Sequence, residues 1–188
     1  MSKVELLDEC NNSLGEGITY SSNDNFLYWL DIGNLSKLHK LDLSLKKKEI
    51  FELPEIVTAT SVRSSDELIL ATNNGIKLFN TFNKKFESIL NIESQQLLTR
   101  SNDGASDSLG RFWFGTMQNN FDKNGKSIPI NENIGKLYKV DTNKKISIVE
   151  EELGIPNTFV WSPDNKNFYF TDTLNGTILS YDFELESG

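Results

Sequence analysis

A repeat restricts this chain more than any other feature of its sequence. Four runs of aromatic and branched residues, FLYWLDI (26–32), ELILAT (67–72), RFWFGTM (111–117) and NFYFTDT (167–173), each follow a polar turn. The turns are SSNDN (21–25), RSSDE (63–67), DSLG (107–110) and SPDNK (162–166), compositions suited to tight hairpins. Each run is followed by a weaker strand: KLHKLDL, GIKLFN, GKLYKV or GTILSYDF. Apolar residues at three-and-four spacing are scarce, so the pattern reads as all-β.

The register of the repeat has a chemical consequence. Glu16–Asp31 lies without a gap over Asn157–Asp172, aromatic on aromatic and turn on turn. The other two units place Ala59 and Asn102 opposite Glu16 and Asn157, with a polar insertion at 118–134 stretching the last interval. A period of ~40–50 residues with several strands per unit marks the blades of a β-propeller. The first strand of a blade lines the central channel, so Glu16, Asn102 and Asn157 are expected to converge on one axis. A carboxylate and two amides there offer hard oxygen ligands to a divalent cation, or polar partners to a polyol.

Composition removes several classes. With 19 basic against 27 acidic residues the net charge is −8, which disfavours nucleic acid and an anionic membrane surface. No apolar run approaches the ~20 residues of a spanning helix. Charged residues interrupt MSKVELLDEC, and Cys10 is the only cysteine, so a cytoplasmic, disulfide-free protein is expected.

Three motifs carry a resemblance to the gluconolactonase and regucalcin family, the senescence-marker-protein family of six-bladed propellers. They are LGEGITY with LYWLDI and LHKLDL, then RSNDGASDSLGRFWFGTM at 100–117, and GIPNTFVWSPD at 154–164. The resemblance runs from about residue 12 to the last residue. It implies a hydrolase of sugar-type lactones holding one divalent cation, Ca²⁺, Zn²⁺ or Mn²⁺, at the channel mouth. Residue by residue, it implies Glu16 and Asn157 as metal ligands and Arg100 and Asn102 as substrate contacts. The cation would polarise the lactone carbonyl while a carboxylate activates water.

The chain also departs from that family. Its aspartate, both ligand and acid/base residue, belongs to a later blade and is expected beyond Gly188, so the resemblance assigns no catalytic residue within 1–188. Turnover without that blade would need another carboxylate, such as Asp103 or one from a second chain. Asn120 takes the place of a substrate-contacting glutamate, and Thr158 that of a glycine. Residues 1–188 are expected to form a single partial propeller domain of about four blades. Its closure then needs a C-terminal part or a second chain, with Val4–Leu7 as a strand for the last blade. The alternative to a lactonase is an inactive propeller fragment or pseudoenzyme serving as a cation-binding or interaction module.

Other residues read as structural. Asp31 and Asp172 end equivalent strands as hydrogen-bond acceptors, and Asp107 starts the DSLG turn. Trp29, Trp113 and Trp161 are expected in the interblade core, His39 as a satisfied structural residue, and Lys46–Lys48 at a solvent-facing hairpin tip. Cys10 has no base in view, and no G-x-S-x-G elbow is present.

Overall fold

The computed structural model describes residues 3–33, 35–122 and 124–188. Among the described residues, fifteen strands form four antiparallel sheets, each built from consecutive strands. Blade 1 is β1 (Gly15–Ser21), β2 (Phe26–Asp31), β3 (Lys37–Asp42) and β4 (Lys47–Glu52). Blade 2 is β5 (Val57–Ser64), β6 (Glu67–Thr72), β7 (Gly75–Asn80) and β8 (Phe86–Leu90). Blade 3 is β9 (Thr99–Ser106), β10 (Phe112–Gln118), β11 (Gly135–Val140) and β12 (Ile146–Leu153). Blade 4 has three strands, β13 (Pro156–Trp161), β14 (Asn167–Asp172) and β15 (Thr177–Asp182). The expected propeller blades are therefore present.

Alternation along the second strand of each blade decides how blades stack, because successive side chains leave opposite faces of a sheet. Tyr28 and Leu30 of β2 pack with Val57, Leu68, Leu70 and Phe79 of blade 2. Phe112 and Phe114 of β10 turn back onto Ala59, Ala71 and Ile76 of blade 2. Trp113, between them in sequence, faces the other way and joins Phe159, Phe168, Phe170 and Phe183 of blade 4. Each of the three apolar clusters thus fills one interface between neighbouring blades, and each fully buried aromatic contributes about 2 kcal/mol. Trp161 packs into the third cluster as expected.

Trp29 does not. It shares no interblade cluster and instead stacks on His39 with ring centroids 4.8 Å apart. The two rings lie on the free face of blade 1, where a groove of about 540 Å³ is lined by Leu7, Cys10, Ile18, Leu27, Trp29 and Leu41. Trp29 Nε1 and both ring nitrogens of His39 are buried without a hydrogen-bond partner, so His39 is not the satisfied residue the sequence suggests. Among the described residues, blades 1 and 4 share no apolar cluster, hydrogen bond or ion pair, and the array is an open arc.

Recurring side-chain ties hold the strand ends. Asp31 Oδ1 accepts the N–H groups of Ser13 (2.9 Å) and Leu14 (3.0 Å). Asp172 does the same in blade 4, accepting from Gly154 (2.8 Å) and Ile155 (2.9 Å). The expected acceptor role of both residues is thus realised. Asp107 accepts the N–H groups of Leu109 and Arg111 and also takes Arg111 Nε at 2.6 Å and Trp113 Nε1 at 2.9 Å.

Two local expectations change. Residues 4–7 form no strand, and Val4 is 95% exposed. Lys48 is half-buried in β4 and pairs with Asp8 at 2.7 Å, so only the start of the Lys46–Lys48 run is a free tip. No helix of the structure is long and apolar enough to cross a membrane.

Candidate functional site

A β-bulge near the start of every first strand builds the site. On β1, Glu16 pairs with Leu30 and Thr19 with Tyr28, leaving Gly17 and Ile18 in the irregular step. On β13, Asn157 pairs with Thr171 and Val160 with Tyr169, leaving Thr158 and Phe159. On β9, Ser101 pairs with Thr116 and Gly104 with Phe114, leaving Asn102 and Asp103. A bulge places one extra residue on one strand and re-aims its side chains.

These pairings bear out the register in blade 3. Gly15, Ser101 and Pro156 pair with the equivalent residues Asp31, Thr116 and Asp172, and Thr19, Ala105 and Val160 with Tyr28, Trp113 and Tyr169, so Asn102 occupies the position of Glu16 and Asn157. In blade 2 the bulge falls at Thr58, and Ala59 is wholly buried in the interblade core. The hydroxyl of Thr58 donates to Ser101 Oγ at 2.7 Å, so the two first strands meet through these smaller side chains.

The bulge brings Asn102 to its expected partner. Its Nδ2 donates to Asn157 Oδ1 and to the carbonyl of Pro156, both at 2.9 Å. Asn157 Nδ2 in turn donates to Thr173 Oγ1 at 2.8 Å. Both amides are thereby fixed, with Asn157 Oδ1 retaining one acceptor lone pair.

Arg100 extends this chain on the other side. Its Nε donates to Asn120 Oδ1 at 2.8 Å, and Nη1 donates to the Ser101 carbonyl at 2.7 Å and to Asn102 Oδ1 at 3.3 Å. The guanidinium also lies 5.5 Å from the centre of the Phe121 ring. The 118–134 insertion thus supplies two of its neighbours, and a bridge between Phe121 and Ser127 shapes that segment. Lys123 of the insertion lies outside the described residues.

Asp103 gains a place in the site that its sequence context does not assign. Its Oδ2 accepts the N–H of Thr158 from blade 4 at 2.7 Å, and its Oδ1 accepts the N–H of Gly104 at 2.8 Å. Gly104 is obligatory there, because a Cβ would stand 2.4 Å from the Trp113 carbonyl oxygen. In sequence, Asn-Asp-Gly is an ordinary turn signal, and only the bulge turns Asp103 toward the neighbouring blade.

The resemblance places its catalytic aspartate beyond Gly188 and none before it, yet the cluster already holds this second carboxylate. Gly188 itself supplies nothing to the cluster. Its N–H donates to the Glu184 carbonyl at 2.7 Å, and its own carbonyl accepts Lys139 Nζ at 3.0 Å, beside the Arg111 guanidinium.

Electrostatics tie Glu16 to the cluster. Burial raises the Glu16 carboxyl above its ordinary value; the charge of Asp103 adds to the rise and that of Arg100 opposes it. Burial likewise raises Asp103, against the pull of its two backbone donors. Burial lowers Arg100 to about 10, with Glu16 opposing. The structure therefore assembles Glu16, Arg100, Asn102, Asp103, Asn120 and Asn157 from blades 1, 3 and 4.

The donor set is all oxygen, with Glu16 at one end and Asn157 Oδ1 at the other. Among the described residues no group of three or more His, Cys, Asp or Glu side chains is placed to hold a metal. Two mutually repelling carboxyls beside an amide oxygen suit a hard cation that completes its shell with water or ligand, and no thiolate or imidazole is offered.

Four blades, with this polar cluster where the first strands of three of them meet, define a partial β-propeller. Residues 14–188 match the family described as the SMP-30/Gluconolactonase/LRE-like region, and the chain belongs to that family. It is 30% identical to a 6-deoxy-6-sulfogluconolactonase of Pseudomonas putida over 89% of this chain and 54% of that protein. It is 27% identical to a pentonolactonase of Haloferax volcanii over 93% of this chain and 55% of that one. The crystal structure of a regucalcin of Agrobacterium tumefaciens, described as a calcium-binding protein, superposes with a TM-score of 0.83. That match has 27% identity and covers 95% of this chain and 57% of the other. The chain thus spans about half the length of the curated relatives it matches.

Proposed function

We propose that this protein hydrolyses sugar-type lactones with the help of one divalent cation. The observation that carries the reading is the hydrogen-bonded run Arg100–Asn102–Asn157, closed on one side by Glu16 and on the other by Asp103. The relatives named as lactonases and the calcium-binding neighbour support it.

Glu16 and Asn157 Oδ1 would hold the cation, whose chemistry is to polarise a carbonyl and stabilise the charge that develops on its oxygen. Arg100 and Asn102 orient the sugar through N–H donors fixed by their own partners, so little freedom is lost when it binds. Asp103 is the general base for the attacking water. Its two oxygens are held by backbone N–H groups, each keeping a lone pair, and its raised pKa suits a proton acceptor.

The test is hydrolysis of D-glucono-1,5-lactone by the 188-residue chain, with added divalent cation and with chelator, corrected for the spontaneous rate. Chelator-sensitive turnover is the expected result. Turnover indifferent to chelator would remove the cation from the reading, and turnover at the spontaneous rate would leave the alternative of a non-catalytic cation-binding propeller.

A further inference from the structure

Arg100 and Arg111 are both buried, at 4% and 6% exposure, but their charges are met differently. Arg111 Nε donates to the Asp107 carboxylate at 2.6 Å, and its other nitrogens reach the carbonyls of Leu185 (2.7 Å) and Glu186 (3.2 Å). Arg100 has no carboxylate oxygen within 4.0 Å among the described residues. Its three hydrogen bonds go to neutral acceptors: the Asn120 amide, the Ser101 carbonyl and the Asn102 amide. Glu16 acts on it only at longer range.

Nη2 of Arg100 makes no hydrogen bond among the described residues. It is also absent from the buried polar atoms that lack a partner, so this nitrogen keeps what access to solvent the side chain has. The result is a guanidinium with its Nε and Nη1 edges pinned by neutral groups, an aromatic ring on one flank and both Nη2 hydrogens free. A buried cation without a counter-charge costs several kcal/mol, and a hydrogen bond between two charged groups is roughly twice as strong as a neutral one. Asn120 decides this state, since a carboxylate in its place would neutralise the guanidinium from within. The chain as a whole carries −8, so it attracts no anion except through such a local cation.

We infer that the Arg100–Asn120 pair sets specificity for a negatively charged substituent, so that the preferred ligand is a sugar lactone or sugar acid bearing a further anionic group. The inference rests on the lactone reading for the sugar, and on the charge balance at Arg100 for the anion. Asn120 acts through Arg100 and is a positioning residue, while Arg100 meets the anion directly.

Calorimetric titration of the 188-residue chain with D-gluconate, D-glucarate and 6-phospho-D-gluconate tests it. At least one of the two doubly substituted acids is expected to bind about tenfold tighter than gluconate, and the tighter of the two identifies the group as carboxylate or phosphate. Asn120→Asp is expected to abolish that preference, and Arg100→Gln to abolish it in a chain that still unfolds cooperatively. Equal affinity for all three acids in the unmodified chain overturns the inference, as does a preference that survives Asn120→Asp. Chelator-sensitive hydrolysis of the neutral lactone without anion preference overturns it and leaves the lactonase reading standing. Anion preference without any lactone turnover supports it and sinks that reading.

Discussion

The backbone N–H of Thr158 donates to Asp103 Oδ2 across 2.7 Å, locking the bulge of β13 to the bulge of β9. The bond exists because Thr158 adopts φ +59°, a left-handed conformation that a β-branched residue takes only under strain. Gly17, its counterpart on β1, has φ +63° without that cost. Strain at one residue therefore positions the carboxylate of another on the neighbouring blade.

Thr158→Gly is expected to stabilise the chain by about 1 kcal/mol, the strain relieved less the extra freedom of glycine when unfolded. Chemical denaturation measures it. A loss of stability would show that the threonine side chain makes a compensating contact.

Glu16 gives a pH signature. Its carboxyl titrates above 4.5 in the folded chain, so the folded state holds the proton more tightly than the unfolded one. The associated stability is complete below the unfolded value and is lost as pH rises through the folded one. Between about pH 4 and 7 the unmodified chain should therefore lose stability relative to Glu16→Gln. A difference in unfolding midpoint that stays constant across that range would contradict the assignment. At about pH 7, millimolar calcium should raise the midpoint of the unmodified chain and leave that of the variant where it was.

Asp172 behaves in the opposite sense. Burial alone would raise its carboxyl, but the N–H groups of Ile155 and Gly154 and the Asn175 amide outweigh burial and hold it below 3.8. Its contribution is present above 3.8 and disappears as pH falls through the depressed folded value. Asp172→Ala leaves buried backbone donors without an acceptor and should cost about 3 kcal/mol at neutral pH. A cost below about 1 kcal/mol would mean that water replaces the carboxylate.

Asn157→Ala should retain the fold, because Asn102 Nδ2 keeps the Pro156 carbonyl as its acceptor. Cation-dependent turnover of a lactone should fall by roughly 100-fold, the scale of removing one electrostatic element from an active site. Turnover within about twofold of the unmodified chain would reject Asn157 as a ligand.

The blades were legible because alternation of large apolar side chains is written directly in the residues. Trp113 between Phe112 and Phe114 already says that one ring faces one neighbour and two face the other. The bulges were not legible. A bulge is a property of backbone hydrogen bonding, and nothing in SNDG states that Asn102 and Asp103 fall in one. For the same reason the setting of Asp103 stayed hidden, since its partner is a backbone N–H 55 residues away. Glu93 is a third case: its carboxylate accepts the hydroxyls of Thr99 (2.6 Å), Thr116 (3.3 Å) and Tyr138 (2.7 Å), fastening the approach to β9. Its surroundings, NIESQQ, read as an unremarkable loop.

Glu16 and Asn157 belong to the first and last blades of an arc in which each blade leans only on its sequence neighbour. Blades 2 and 3 are covered on both sides and should exchange their amide hydrogens slowest, whereas blades 1 and 4 can splay with the loss of a single interface each. A ligand gripped by both residues would act as a clasp across the arc, so that occupancy of the channel and rigidity of the two outer blades rise and fall together.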